Sequence, residues 1–282
     1  MEATALEAAE AGAAVLRRMF RSRDLGVDEK AANDFVTEAD RASEREIVAT
    51  LRHRGPSHRI LGEEGGWIEP DRPVEHPVEW IVDPLDGTTN FVHGLPTFCV
   101  SIGARHRGVM MAAAIVAPIG GDRWTARRGG GTRWNGRPTQ VSSRGGLDGA
   151  CLATGFPFRA HAAIDLYLEM FRAAFLRARA MRRLGAAALD LAYTACGVYD
   201  GFFELRLSPW DVAAGWLLVE EAGGVVTDLD GGARLLETGN VLAGSPAVHA
   251  DLRAVFGDRV DENAMARAEP RGPVGALPAS ME

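Results

Sequence analysis

Two aspartates three residues apart, Asp83 and Asp86, lie in the segment Trp80-Ile81-Val82-Asp83-Pro84-Leu85-Asp86-Gly87-Thr88-Thr89-Asn90, between an apolar run and a glycine turn. These residue types suit a divalent cation and a phosphate held together. Hard ions such as magnesium take oxygen ligands, so two carboxylates across a proline turn can share one ion or bridge a pair, and the carbonyl of Leu85 is a further oxygen donor. Gly87 lets the backbone fold so that successive N–H groups face one anion. The element that must aim them is a short buried strand over residues 80–82, which Pro84 is expected to end. An Asp-Gly pair on its own is ordinary turn chemistry. An apolar strand feeding an acidic Gly-Thr-Thr turn fits surface punctuation poorly.

Three other acidic segments have the same character. Ile60-Leu61-Gly62-Glu63-Glu64-Gly65-Gly66 runs a strand into two carboxylates and a glycine pair, and Ser208-Pro209-Trp210-Asp211 opens a helix, placing Asp211 at an N-terminus that favours anions. Thr37 with Asp40 three residues later has capping-box spacing before a helix over residues 38–52. Taken singly, Glu63 reads as a solvated loop residue, Asp211 as an N-cap and Asp40 as the capping acid.

The chain of 282 residues, 46% hydrophobic, can bury one large core or two lobes sharing an interface. A net charge of −7, with no basic run interleaved with aromatics, argues against a nonspecific nucleic-acid binder, so an anionic substrate needs metal or local arginines. Cys99, Cys151 and Cys196 are far apart, with no metal-ligand spacing, and read as buried thiols of a cytoplasmic protein. The N-terminus carries Glu2, Glu7 and Glu10 before its first arginine, unlike a signal peptide, and no apolar run reaches the roughly 18 residues of a membrane span.

Periodicity predicts helices over 3–21, 38–52, 164–178, 185–196, 211–222 and 247–256. Strands are expected over 59–61, 79–82, 98–104, 109–116, 123–126, 180–183, 201–204, 225–227 and 241–243. Residues 67–77 read as a polar loop. An antiparallel first half followed by alternating helices and strands suggests an α/β layered sandwich. The expected organisation is an α+β lobe over 1–144 carrying most of the candidate metal ligands, an α/β lobe over 145–257 that completes the site, with the seam at 145–149, and a disordered tail over 258–282.

In order and interval, the segments 61–64, 80–90 and 210–224 resemble the signatures of the inositol monophosphatase family, and similarity runs from the first helix to about Phe256. Residues 152–158 and 182–204 are most similar to its bacterial branch. The resemblance implies the layered α/β fold shared with fructose bisphosphatases, and magnesium-dependent hydrolysis of a small phosphate monoester, inositol monophosphate above all, with two or three Mg2+ ions per site. Glu63, Asp83 and the Leu85 carbonyl would hold one ion, and Asp83, Asp86 and Asp211 a second. Gly87, Thr88 and Thr89 would meet the phosphate, and Thr88, Asp40 and Glu63 would orient the attacking water. Glu204 would accept substrate hydroxyls, with Gly185, Ala187 and Arg182 near the same pocket. Two departures from the family pattern bear on that pocket: Arg206 stands where glycine is usual, and Ala186 replaces serine or threonine. Haloacid-dehalogenase-type phosphatases use Asp-x-Asp-x-Thr, whereas here Pro84 and Leu85 separate the aspartates. A histidinol-phosphate or sugar-bisphosphate phosphatase, or a regulatory protein on the same fold, are the alternatives. A homodimer is expected, from the resemblance and from the apolar segment 94–100.

Overall fold

The computed structural model describes residues 1–22, 28–31, 34–70, 72–158 and 161–257, of which 28–31 and 34–36 are described as backbone only. The tail expected over 258–282 lies outside the described residues. The first half comprises α1 (Glu2–Met19), β1 (Asp28–Ala31), β2 (Asp34–Val36), α2 (Glu38–Arg54), β3 (Arg59–Gly62), β4 (Gly66–Ile68), β5 (Glu79–Asp86), α3 (Thr88–Val92), β6 (Cys99–His106), β7 (Val109–Val116), β8 (Arg123–Arg127), β9 (Gly131–Trp134) and β10 (Arg137–Thr139). There follow β11 (Cys151–Thr154), α4 (Ile164–Phe175), β12 (Ala180–Arg182), α5 (Ala187–Ala195), β13 (Gly201–Glu204), α6 (Pro209–Glu221), β14 (Val225–Thr227), α7 (Leu235–Thr238), β15 (Val241–Gly244) and α8 (Pro246–Gly257).

Two mixed sheets form: eight strands in the order β10-β9-β8-β7-β6-β5-β3-β4, and five in the order β12-β11-β13-β15-β14. Residues 145–149 lie between the last strand of the first sheet and the first of the second. Strand alternation sorts the core into layers. Trp80 and Val82 of β5 pack with Ala9, Leu16 and Ile47 of α1 and α2. Ile81, between them, packs with α5 and α6, as does Phe202 of β13. Phe203, its neighbour, turns the other way onto Tyr167 of α4 and Leu252 of α8. The result is five layers, α1/α2, the large sheet, α5/α6, the small sheet and α4/α8. The middle helices have apolar contacts on both sides, and α5 buries eight of its nine residues.

Local signals account for most elements. Thr37 and Asp40 form the expected capping box, Thr37 Oγ1 accepting from Asp40 N–H at 3.4 Å and Asp40 Oδ2 accepting from Thr37 N–H at 2.8 Å. The expected break at Pro84 does not occur: β5 continues to Asp86. Proline is accommodated because the pairing with β6 slips, Asp83 facing Ser101 and Asp86 facing Cys99, so that one extra residue bulges out. The loop expected over 67–77 begins within β4, and β9, β10 and β11 are strands where none was expected. Cys99 is buried as expected, whereas Cys151 and Cys196 are only half-buried. Of the apolar segment 94–100, Phe98, Cys99 and Val100 are fully buried, whereas Leu95 and Pro96 are exposed. Among the described residues no helix is long and apolar enough to cross a membrane.

Candidate metal centre and active site

The bulge at Pro84 builds the site. In a regular strand, residues three apart face opposite sides; one extra residue restores the match. Asp83 and Asp86 therefore both face the α5/α6 layer, where Asp211 meets them from the first turn of α6. Asp83 and Asp86 are buried and Asp211 is half-buried, and each offers a carboxylate oxygen within 4.8 Å of the others. Each aspartate is also tied to the backbone. Asp83 Oδ1 accepts from Leu85 N–H at 2.9 Å. Asp86 accepts from Ala187 N–H at 3.2 Å and Ala188 N–H at 2.8 Å, so it caps α5 from outside. Ala186, the residue before that helix, supplies no side-chain cap. Asp211 Oδ2 accepts from Ser208 N–H at 2.7 Å, closing the start of its own helix behind Pro209.

Burial and mutual repulsion push these carboxyls up. For Asp83 the causes are loss of water, then the charges of Glu63, Asp86 and Asp211. Asp86 rises to about 7, through burial first and Asp211 second, against the N–H donors of α5. Three acids held this close in a dry setting are a poor arrangement for protein alone and a good one for a doubly charged ion, which favours hard oxygen donors. The donor set therefore fits Mg2+.

The aspartates open into a cavity of about 410 Å³ that Glu63, Leu85, Gly87, Thr88 and Thr89 also line. Glu63 is half-buried at the end of β3, its N–H donating to Val82 O at 3.2 Å, and stands outside the close trio of aspartates. Gly87 turns the chain with φ +95°, where a Cβ would come within 3.0 Å of Thr97 O, so only glycine fits. Residues 88 and 89 then begin α3, whose first N–H groups have no partner within the helix. Thr88 Oγ1 lies 3.1 Å from both Asp40 Oδ1 and Leu85 O. Asp40 thus caps α2 and also reaches the site, its carboxyl raised to about 6 by burial despite the donors Thr37 and Thr88.

Gly185, Ala187 and Glu204 line the cavity as expected, together with Ala186 and Arg206. Arg182 does not: it ends β12 exposed, donating to its neighbour Met181 O, and the next residue, Arg183, lines the cavity instead. Sequence reasoning also missed Asn90, whose Nδ2 donates to Thr97 O at 2.7 Å and Leu184 O at 2.9 Å and so ties the glycine turn to the start of α5. Its place at the end of the quoted motif was the available signal. Ser43, which holds Pro84 O at 2.8 Å from α2, and Cys99, whose Sγ lies 3.6 Å from Asp86 Oδ2, carried none.

Five alternating layers around a carboxylate cleft place the chain among the layered α/β sandwich proteins with an acidic metal centre. It belongs to the inositol monophosphatase family, whose sequence model matches residues 1–259. It is 49% identical over 244 residues to the Nus factor SuhB of Pseudomonas aeruginosa, covering 86% of this chain and 90% of that protein. With the Nus factor SuhB of Escherichia coli it shares 42% identity over 259 residues, covering 92% and 95%. Among solved structures, the extragenic suppressor protein suhB of Bartonella henselae superposes with a TM-score of 0.85 at 39% identity, over 90% of this chain and 97% of that one. The inositol monophosphatase of Anabaena gives 0.80 at 36%, over 93% and 97%.

Proposed function

We propose that the chain hydrolyses a small phosphate monoester with magnesium, the reference substrate being inositol monophosphate, released as inositol and phosphate. The observation that carries this reading is the trio Asp83, Asp86 and Asp211, with carboxylate oxygens within 4.8 Å of one another beside the Gly87 turn. Glu63, Asp83 and Leu85 O would hold one ion, and Asp83, Asp86 and Asp211 another. When bound, the ions supply Lewis acidity toward water and the phosphoryl oxygens.

The protein's own groups do the rest. The N–H groups of Gly87, Thr88 and Thr89 take the phosphate at the start of α3. Thr88 Oγ1 accepts a proton from the attacking water and donates toward Asp40 Oδ1, whose raised pKa of about 6 suits it to take that proton near neutral pH. Glu63 stands beside them as a second acceptor. Glu204 accepts polyol hydroxyls, with Gly185, Ala187 and Arg183 lining the same cleft. The test is phosphate release from inositol phosphates, histidinol phosphate and sugar bisphosphates, with magnesium and with chelator. A magnesium-dependent rate on a member of this panel supports the reading; folded, metal-loaded protein inert on all of them removes it.

The names of the relatives favour a second reading, a regulatory or binding role on the same fold, since those at 42% and 49% identity are called Nus factors. A cellular role that survives Asp86→Asn would favour it. We also propose a homodimer and a cytoplasmic location; sedimentation and fractionation test these.

A further inference from the structure

The cleft contains a second set of charges that the chemistry at the aspartates does not use. Arg183 and Arg206 both line it, alongside Glu204. Arg183 is exposed, and its guanidinium stands over two aromatic rings, 5.4 Å from the centroid of Phe156 and 5.3 Å from that of Phe158. The rings meet edge to face at 5.7 Å and remain 39% and 51% exposed where they line the cleft. Cation–π contact of this kind anchors the guanidinium beside the rings while its N–H groups can still meet an anion.

Arg206 reaches the cleft from an unusual backbone. Its φ is +64°, in the left-handed region that side chains other than Asn and Asp seldom adopt. The turn is pinned on both sides, Arg206 N–H donating to Asn240 Oδ1 at 3.3 Å and Leu207 N–H to Gly239 O at 2.8 Å. Glycine would take this conformation freely, yet the chain places a half-buried arginine there, facing the cleft.

Given the phosphomonoesterase reading above, we infer that Arg183 and Arg206 take up a second anionic group of the substrate. The cleft then prefers a polyol or sugar phosphate carrying two anionic groups over one whose only charge is the phosphate at the aspartates. Two guanidinium forks match the oxygens of a phosphate or carboxylate, and Glu204, two residues before Arg206, repels an anion placed against itself while accepting the hydroxyls between. The exposed parts of Phe156 and Phe158 give the cleft an apolar wall for the ring of a polyol or sugar.

A matched set of probes tests this: glucose phosphate, glucose bisphosphate, and glucuronate phosphate as the carboxylate arm. In the wild-type protein with magnesium, the two doubly anionic compounds should exceed glucose phosphate in kcat/KM by about ten-fold or more, the order expected of charge-assisted bidentate contacts. Arg206→Gly, which suits the positive φ and so keeps the turn, should lower that ratio about ten-fold through KM, Arg206→Lys should restore part of it, and Arg183→Gln should act in the same direction. A preference for the bisphosphate alone assigns the site to phosphate; a preference for both assigns it to anions in general. A ratio equal in Arg206→Gly and wild type overturns the inference. Calorimetric binding of the same compounds to Asp86→Asn, with and without Arg206→Gly, reads the contact without turnover. If the wild type turns over none of the compounds while this binding difference persists, the phosphatase reading fails and the anion contact stands. Equal binding of all three overturns the contact.

Discussion

Asp86→Asn should make the metal-free protein more stable while removing its turnover. The Asp86 carboxyl is raised from 3.8 to about 7, chiefly by burial and then by the charge of Asp211. A folded-state pKa above the unfolded one means that the contribution to stability is fully present below about pH 4 and lost as pH rises through 7. At pH 8 the ionised group therefore costs up to about 4 kcal/mol, three units at ~1.4 kcal/mol each. Asparagine keeps one oxygen for the N–H groups of α5 but turns an NH2 toward its surroundings, which returns about 1–2 kcal/mol of the gain. The net expectation is about 2–3 kcal/mol, or roughly 5–10 °C in Tm for a chain of this size. In chelator at about pH 8 the variant should melt higher than wild type, and at about pH 5, where Asp86 is already protonated, the two should converge. Magnesium should raise the wild-type Tm and leave the variant nearly unmoved, and turnover should fall by about a thousand-fold or more. A variant that melts below wild type in chelator at pH 8, or by the same difference at both pH values, would refute the claim that this carboxylate is an uncompensated buried charge.

Thr88→Ala should lower kcat by about a hundred-fold with a small change in KM, whereas Thr88→Ser should retain most activity, because the hydroxyl between Asp40 and the cleft is what matters; steady-state kinetics decides. Asn90→Ala leaves the carbonyls of Thr97 and Leu184 without their amide donor and should cost about 1–3 kcal/mol in urea denaturation, with a raised KM from loosening of the start of α5. His249 is buried against Thr227 Oγ1 at 2.9 Å, and burial lowers its pKa from 6.5 to about 4. The fold therefore favours the neutral ring: stability is full above about pH 6.5 and should fall by about 2 kcal/mol, after allowance for screening, as pH drops to 4. His249→Gln should flatten that part of the acid limb in denaturation against pH.

The elements that sequence located are those whose signal is local. The Thr37 and Asp40 spacing gave the start of α2, and the apolar run at 109–116 gave β7 over its full length. The hairpin of β9 and β10 was equally local and was missed: Asn135 and Gly136 both take positive φ, 51° and 77°, as an Asn-Gly hairpin turn requires, but the surrounding arginines and glycines obscured it. What sequence could not give depends on partners distant in the chain. Whether Pro84 ends a strand or sits in a bulge is decided by β6, since only the pairing partner defines the extra residue. Arg182 and Arg183 are indistinguishable by composition, and the end of β12 at Arg182 decides which one reaches the cleft. The middle position of α5 was legible in principle, because a helix apolar on every side has no face for water.

The ordinary and the chemical explanations of the acidic residues turn out to be the same explanation. Asp40, Asp86 and Asp211 each accept backbone N–H groups at a helix start, of α2, α5 and α6. The fold thus orients each carboxylate through a helix terminus, and the positive ends of three helix dipoles offset part of the charge gathered there. Asp86 and Asp211 can be held close to Asp83 without an ion because the scaffold supplies these donors, and they remain under-neutralised because N–H dipoles fall short of full positive charges. Substitution by alanine at any of them removes cap and charge together, so lost activity would be inseparable from a shifted helix. Asparagine retains an acceptor and removes only the charge. If the site is set by helix capping, the asparagine variants at 40, 86 and 211 should keep the fold and differ from the alanine variants by about 1 kcal/mol each in stability. Equal stability of the two series would mean that packing of the layers, rather than the caps, positions the carboxylates.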